Sequence, residues 1–333
     1  RDRAAALLLA AWLEASTDQL DQAREHLAAA VAMADAIDDV DLQARCCYYL
    51  AYVVSHRGDF SRALELTDRA DALYAGLDRP WDQAANWLFA SRAAISARDH
   101  RRAVHARDQV QRWLRTVDDP WLHVRRDAML GELARMEHRF EDAVAHIGAA
   151  AAASGRLGFL QTEAYQVFSL GRAQCQAGDP EAGASTLELG IEKAEATGDM
   201  RLAALARVHL GRVLRARGRD AAARSALETA TAWHRGSGGG EQAALGECLL
   251  AAMDAELPGG AQRLGGILGA ARRRGDAAVE VFALDALARL AAERGDGPAA
   301  RDLREAADRR MQSASDFITE LDRVDARSVG QIA

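Results

Sequence analysis

Lysine is all but missing from this chain. Of 42 basic residues only Lys193 is lysine, so nearly every cation is a planar, permanently charged guanidinium. Proline is limited to five residues and aromatics to 5%, and a chain dominated by Ala, Leu, Arg, Glu and Asp with so few breakers favours helix nearly everywhere. No sheet is expected. The four cysteines, Cys46, Cys47, Cys175 and Cys248, show neither Cys-x-x-Cys spacing nor an evenly paired framework. They read as small buried hydrophobes, and thiols of this kind fit a reducing cytosol, so the expected location is cytoplasmic. The longest apolar run, Ala4 to Leu13, is too short to span a bilayer and ends at Glu14. With no basic leader or cleavage site beside it, it reads as a first helix, and no membrane partner is expected. The chain starts at Arg1 rather than Met and is read as a piece of a longer protein.

The motifs of common chemistries are also missing. There is no phosphate loop, and the Gly236-Ser237-Gly238-Gly239-Gly240 stretch lacks the lysine that would grip a phosphate, so it reads as a link. No HExxH, GxSxG or helix-opening GxGxxG occurs. The nearest histidines, His100 and His105, straddle a turn and lack a third ligand. The acidic pairs Asp38-Asp39 and Asp118-Asp119 sit at turns, where capping accounts for them. The chain is therefore read as no enzyme, with no catalytic residue, no metal and no cofactor. A net charge of -7 argues against direct nucleic-acid binding by this region, because phosphate binding needs a broad cationic face.

What the chain does have is an internal period. Turn-like pairs fall at Gly58-Asp59, Asp99-His100, Arg139-Phe140, Gly178-Asp179, Gly218-Arg219 and Pro258-Gly259, in steps of 41, 40, 39, 40 and 40 residues. Gly295-Asp296 follows 37 residues later, and an earlier turn lies near Thr17-Asp18, so about eight copies fill the chain. Such a period is the mark of a solenoid. Within a copy, a Leu-Gly or Leu-Ala pair on a first helix precedes the turn, and a small-large-small series follows on a second. Leu210-Gly211, Gly218, Ala223, Leu227 and Ala230 show this best, and Leu170-Gly171, Gly178, Gly183, Leu187 and Gly190 repeat it. Small residues at these spacings let two antiparallel helices approach while leucines fill the seam.

This pattern resembles the tetratricopeptide repeat, over residues 1–311. The resemblance implies an all-α, right-handed superhelical solenoid of about eight helix-turn-helix units, with residues 312–333 as a capping helix or flexible tail carrying Phe317, Leu321 and Val324 at helical spacing. The third copy departs from the pattern at Ser91 and Arg98, and the seventh around Pro258-Gly259-Gly260. A unit of forty residues exceeds the usual 34, and the surplus is expected at helix ends and inter-repeat loops. At Asp78-Arg79-Pro80-Trp81 and Asp118-Asp119-Pro120-Trp121, the Asp suits a cap, the Pro a first helical turn, and the Trp a core anchor. Forty-residue arrays of this style resemble those of large bacterial transcription regulators of the maltose-activator and LuxR-like kind, and of related signalling ATPases, where the array senses an inducer, peptide or partner domain.

The resemblance also implies that the first helices line a concave face. The residue after each Leu-Gly pair is then the central inward position: Trp12, Tyr52, Arg92, Glu132, Arg172, Arg212 and Arg289. Helical steps of three and four add Arg45, Tyr48 and Ser55, then Arg125 and Arg135, then Tyr165, Phe168 and Cys175, then Val208 and Arg215. The candidate binding set is Arg45, Tyr48, Tyr52, Arg92, Arg135, Tyr165, Phe168, Arg172, Arg212, Arg215 and Arg289. Guanidinium groups with Tyr and Phe faces suit an acidic or carboxylate-bearing peptide, small effector or protein domain. The same arginines also suit surface pairs with Glu132, Asp285 or neighbouring helices, worth about 0–1 kcal/mol each. The leading expectation is a sensor or interaction domain of a larger regulator. A scaffold that self-associates is the alternative, and an accessory domain of a multidomain enzyme stands third.

Overall fold

Asp179 ends one helix and starts the next. Its backbone N–H donates to Gln174 O at 3.0 Å, closing the outgoing helix, while its Oδ1 accepts from Ala182 N at 3.0 Å and caps the incoming one. Gly178 between them is left-handed, at φ 89°, and donates to Cys175 O. The connection is therefore three residues long, a C-terminal closure fused to an N-cap. Asp39, Asp59, Asp99, Asp199, Asp276 and Asp296 do the same, each donating backward from its N–H and accepting from the N–H three residues on. Asp119 caps without the backward bond, through Leu122 N at 2.9 Å.

The computed structural model describes residues 1–16, 19–56, 59–237 and 240–313. Among them there is no strand. The described residues fall in two compact units, Arg1–Glu137 and His138–Ala333. The first holds α1 (Asp2–Ser16), α2 (Leu20–Ala36), α3 (Val40–His56), α4 (Phe60–Tyr74), α5 (Pro80–Ser96), α6 (His100–Trp113) and α7 (Pro120–Met136). The second holds α8 (Phe140–Leu157), α9 (Leu160–Gln176), α10 (Pro180–Ala196), α11 (Met200–Ala216), α12 (Asp220–Gly236), α13 (Gly240–Met253), α14 (Gly260–Arg274), α15 (Ala277–Glu293) and α16 (Gly297–Ser313). From Leu20 to Gly260 a helix begins every twenty residues. The expected turns at Thr17-Asp18 and Gly58 lie outside the described residues, as do Gly238, Gly239 and the tail from 314 on with Phe317, Leu321 and Val324.

Three sequence expectations need correction. The turns at Asp99-His100 and Arg139-Phe140 are one residue late, because the left-handed positions are Arg98 (φ 60°) and His138 (φ 58°), in step with Gly178 and Gly218. Arg98 is the residue that departs from the pattern's glycine, and at His138 no glycine marks the place. The surplus over 34 residues lies for the most part in helices lengthened to 17 residues, and in longer connections, 75–79 and 114–119, before α5 and α7. Trp81 is no core anchor: it is 40% exposed and stacks on Trp121, ring centres 5.6 Å apart. Pro80 and Pro120 do open α5 and α7, where a missing N–H costs nothing.

The small-large-small series is the packing seam. Ala223, Leu227 and Ala230 on α12 are buried, as are Ala143, Ile147 and Ala150 on α8 and Ala63 and Ala70 on α4. Helices α9 and α10 approach closely, backbone to backbone. A Cβ at Gly183 would lie 2.8 Å from Gly171 O and 2.2 Å from Cys175 Sγ, so only glycine fits there. In the second unit the seventh pair departs from the series. Helix α13 stops after 14 residues, and the chain turns through Pro258 and Gly259, which is left-handed at φ 81°. Gly260 restarts the helix where a Cβ would sit 2.1 Å from Asp254 O. Helix α14 is then two residues shorter than α15, and only Gly275 and Asp276 join the two where most connections take three residues, which together account for the 37-residue step.

Candidate functional site

The candidate residues all stand on odd-numbered helices, and within each unit consecutive odd helices touch: α3 with α5 and α5 with α7, then α9 with α11 and α13 with α15. A stripe at steps of three and four on such helices brings side chains from separate repeats together.

In the first unit, Phe89 of α5 is the hub. Tyr48 and Tyr52 of α3 lie 6.0 and 6.1 Å from it, ring centre to ring centre. The Arg92 guanidinium sits 4.9 Å above Phe89 and 5.5 Å from Tyr52, a cation laid across two rings. Burial pushes the Tyr48 hydroxyl up to about 12, so it is a neutral donor at any physiological pH. Arg45 stands half-buried on α3. On α7, Arg125 lies 5.5 Å from the Trp121 ring, and Arg135 binds Glu132 at 2.7 Å with its side chain only 2% exposed. Arg135 is thus a buried cation held by a partly exposed local carboxylate, and removing that carboxylate would leave its charge buried.

In the second unit, the Arg172 guanidinium lies over Phe168, which is itself buried between Tyr165 and His209. Tyr165 is exposed. The Arg172 Nε is buried and has no hydrogen-bond partner. Arg212, 7% exposed, sits 4.8 Å above Phe282 of α15. Arg215 Nη2 donates to Ala252 O at 3.0 Å, near the end of shortened α13, and shares a cavity of about 270 Å³ with Arg289. Burial, with the Arg289 charge beside it, holds the Arg215 guanidinium below its ordinary range.

The structure thus gathers Tyr48, Tyr52 and Arg92 in one cluster, Tyr165, Phe168 and Arg172 in a second, and Arg215 with Arg289 in a third. Sequence reasoning left out the ring partners. Phe89 shares the α5 stripe with Arg92 and was open to discovery at a step of three. Phe282 lies seventy residues from Arg212, and nothing local ties them. The acidic turn pairs carry no chemistry of their own: Asp39 and Asp119 cap helices, as expected. Among the described residues no group of side chains has the makings of a metal site, and no helix is long and apolar enough to cross a membrane.

No protein-family model and no curated protein matches the sequence. Solved structures do match its fold. A Rap protein complexed with competence and sporulation factor aligns at a TM-score of 0.68 and 12% identity, covering 94% of this chain and 98% of that one. Aspartyl phosphate phosphatase F from Bacillus subtilis aligns at 0.68 and 11%, covering 87% and 76%. A signal-transduction ATPase with numerous domains and a tetratricopeptide repeat sensor, from Pyrococcus horikoshii, aligns at 0.63 and 12%, covering 89% of this chain and 45% of that one. The fold is tetratricopeptide-like. Identities this low carry the tetratricopeptide-like architecture and nothing of the ligand, so the site rests on this chain's own side chains.

Proposed function

We propose that this tetratricopeptide-like chain is a non-enzymatic sensor module of a larger bacterial signalling or transcription regulator, capturing a peptide or small carboxylate-bearing effector on its odd-helix faces. The observation that carries the reading is the seating of Arg92 and Arg172 on aromatic rings. A guanidinium laid flat on a ring is fixed in orientation, and its N–H edge is presented for bidentate bonds to a carboxylate at a small entropy loss. Two structural neighbours are named for the same kind of task, one complexed with competence and sporulation factor and one bearing a tetratricopeptide repeat sensor.

The test is peptide display against the whole chain, followed by titration of the selected peptides into Arg92→Met and Arg172→Met variants. Binding is expected to weaken at least tenfold, about 1.4 kcal/mol, in whichever variant removes the cluster used. Affinity unchanged in both variants overturns the reading. A second reading, self-association, is favoured by one observation: Leu9, Trp12 and Leu13 form an exposed apolar stripe on α1, at 60, 46 and 54% exposure. Light scattering over a concentration series decides it, and a strict monomer counts against it.

A further inference from the structure

Beside the break in the seventh pair lies a cavity of about 270 Å³ in the second unit. Helix α13 ends at Met253, the chain turns through Pro258 and the left-handed Gly259 before α14, and Ala252 O in the last turn of α13 accepts from Arg215 Nη2. Arg215 of α11 and Arg289 of α15 both line this cavity, with Ala252 and Met253 from the end of α13.

These two guanidiniums differ from their neighbours. Arg207 is paired with Glu195, Arg217 with Glu181, Arg224 with Asp254 and Arg272 with Glu280. Among the described residues, no carboxylate lies within ion-pair distance of Arg215 or Arg289. They face each other as like charges, and burial makes the Arg215 charge the harder to hold. Asp220, Glu256 and Glu293 line the same cavity, and the charges of Asp220 and Glu293 reach Arg215 without closing an ion pair. The lining therefore carries two cations with no carboxylate at ion-pair distance and three carboxylates.

From this arrangement we infer that the cavity is a binding site for a small ligand carrying a carboxylate and an ammonium close together, as a short unblocked peptide or a free amino acid does. The carboxylate sits between Arg215 and Arg289, taking paired N–H bonds from each and removing their mutual repulsion. The ammonium is met by the lining carboxylates Asp220, Glu256 and Glu293. A simple polyanion is disfavoured, because the lining has one more negative than positive group. This inference rests on the sensor reading and gives that reading an address and a ligand class.

The experiment is thermal denaturation of the whole chain with a randomised library of unblocked tripeptides, the same library C-amidated, the same library N-acetylated, and a mixture of free amino acids. The unblocked library or the free amino acids are expected to raise Tm, and which of the two does so identifies the source. C-amidation removes the shift and N-acetylation reduces it. Arg289→Met, which leaves the Arg215 bond to Ala252 in place, removes the shift, and Arg289→Lys restores it in part. An equal shift with the amidated library, or in Arg289→Met, overturns the site while leaving the sensor reading standing on the display experiment. No shift from any of the ligands overturns the site as well, and selected peptides that respond to Arg92→Met or Arg172→Met then keep the broader reading alive.

Discussion

The Arg172 guanidinium carbon lies 5.2 Å from the centre of the Phe168 ring, one turn away on the same helix. The two residues divide a task. Phe168 is 1% exposed and fills the core between α9 and α11, while Arg172 rests on it from the open side. Phe168→Ala is expected to cost about 3–5 kcal/mol in urea unfolding. Arg172→Met is expected to cost no more than about 1 kcal/mol, the worth of a cation over a ring at a partly exposed site. A loss above about 2 kcal/mol for Arg172→Met would make the arginine a structural residue and weaken its claim to a ligand.

Two glycines give opposite signs for the same change. Gly183→Ala gains helix propensity worth up to about 1 kcal/mol but drives a methyl group into Gly171 O and Cys175 Sγ. Overpacking of that kind costs about 1–3 kcal/mol, so Tm should fall. Gly265, inside α14, has open space where its Cβ would be, so Gly265→Ala should raise stability by about 0.5–1 kcal/mol. Calorimetry on the two variants reads both. A stabilised Gly183→Ala would mean that α9 and α10 stand farther apart than described.

His234 sets an acid limit. Burial, with the Arg201 charge nearby, holds its pKa below the ordinary value, and its Nε2 is buried with no partner. The unfolded chain, with a histidine pKa of about 6.5, then binds the proton more readily than the folded one. The stabilising contribution is present above about pH 6.5 and is lost as the pH falls below it. Urea midpoints should drop between about pH 7.5 and about pH 5.5, and His234→Phe should flatten that slope. An unchanged slope in the variant would assign the acid sensitivity elsewhere.

The helical period was legible because it is written in residues with one physical role each. Aspartate recurs where a side chain must cap, small residues where two helices must touch, and glycine where φ is positive. The turn pairs fell one residue late at Asp99 and Arg139, although Arg98 was legible as standing where glycine is expected; at both Arg98 and His138 the left-handed position is held by a side chain that ordinarily avoids it. Nor could periodicity show that Trp81 stays 40% exposed while Trp121, on which it stacks, packs against the core, since a tryptophan forty residues from another looks the same in either place. The candidate arginines were legible as a stripe. Their ring seats were legible only where ring and cation share a helix, as Phe89 with Arg92 and Phe168 with Arg172. The meeting of Arg215 and Arg289 was not legible, because they stand on separate helices, α11 and α15, and no local pattern ties them.

The double duty of Asp99, Asp179 and Asp199 leaves no slack between one helix and the next. One residue inserted within a helix swings everything after it by about 100°, turning apolar flanks toward water, whereas gaining or losing a whole hairpin disturbs no flank at all. Genes encoding such chains are thereby confined to lengthening and shortening in hairpin-sized steps. The shortened stretch between Gly260 and Gly275 departs from that grammar, and just before it, at Ala255 and Glu256, the chain lines one cavity with two arginines.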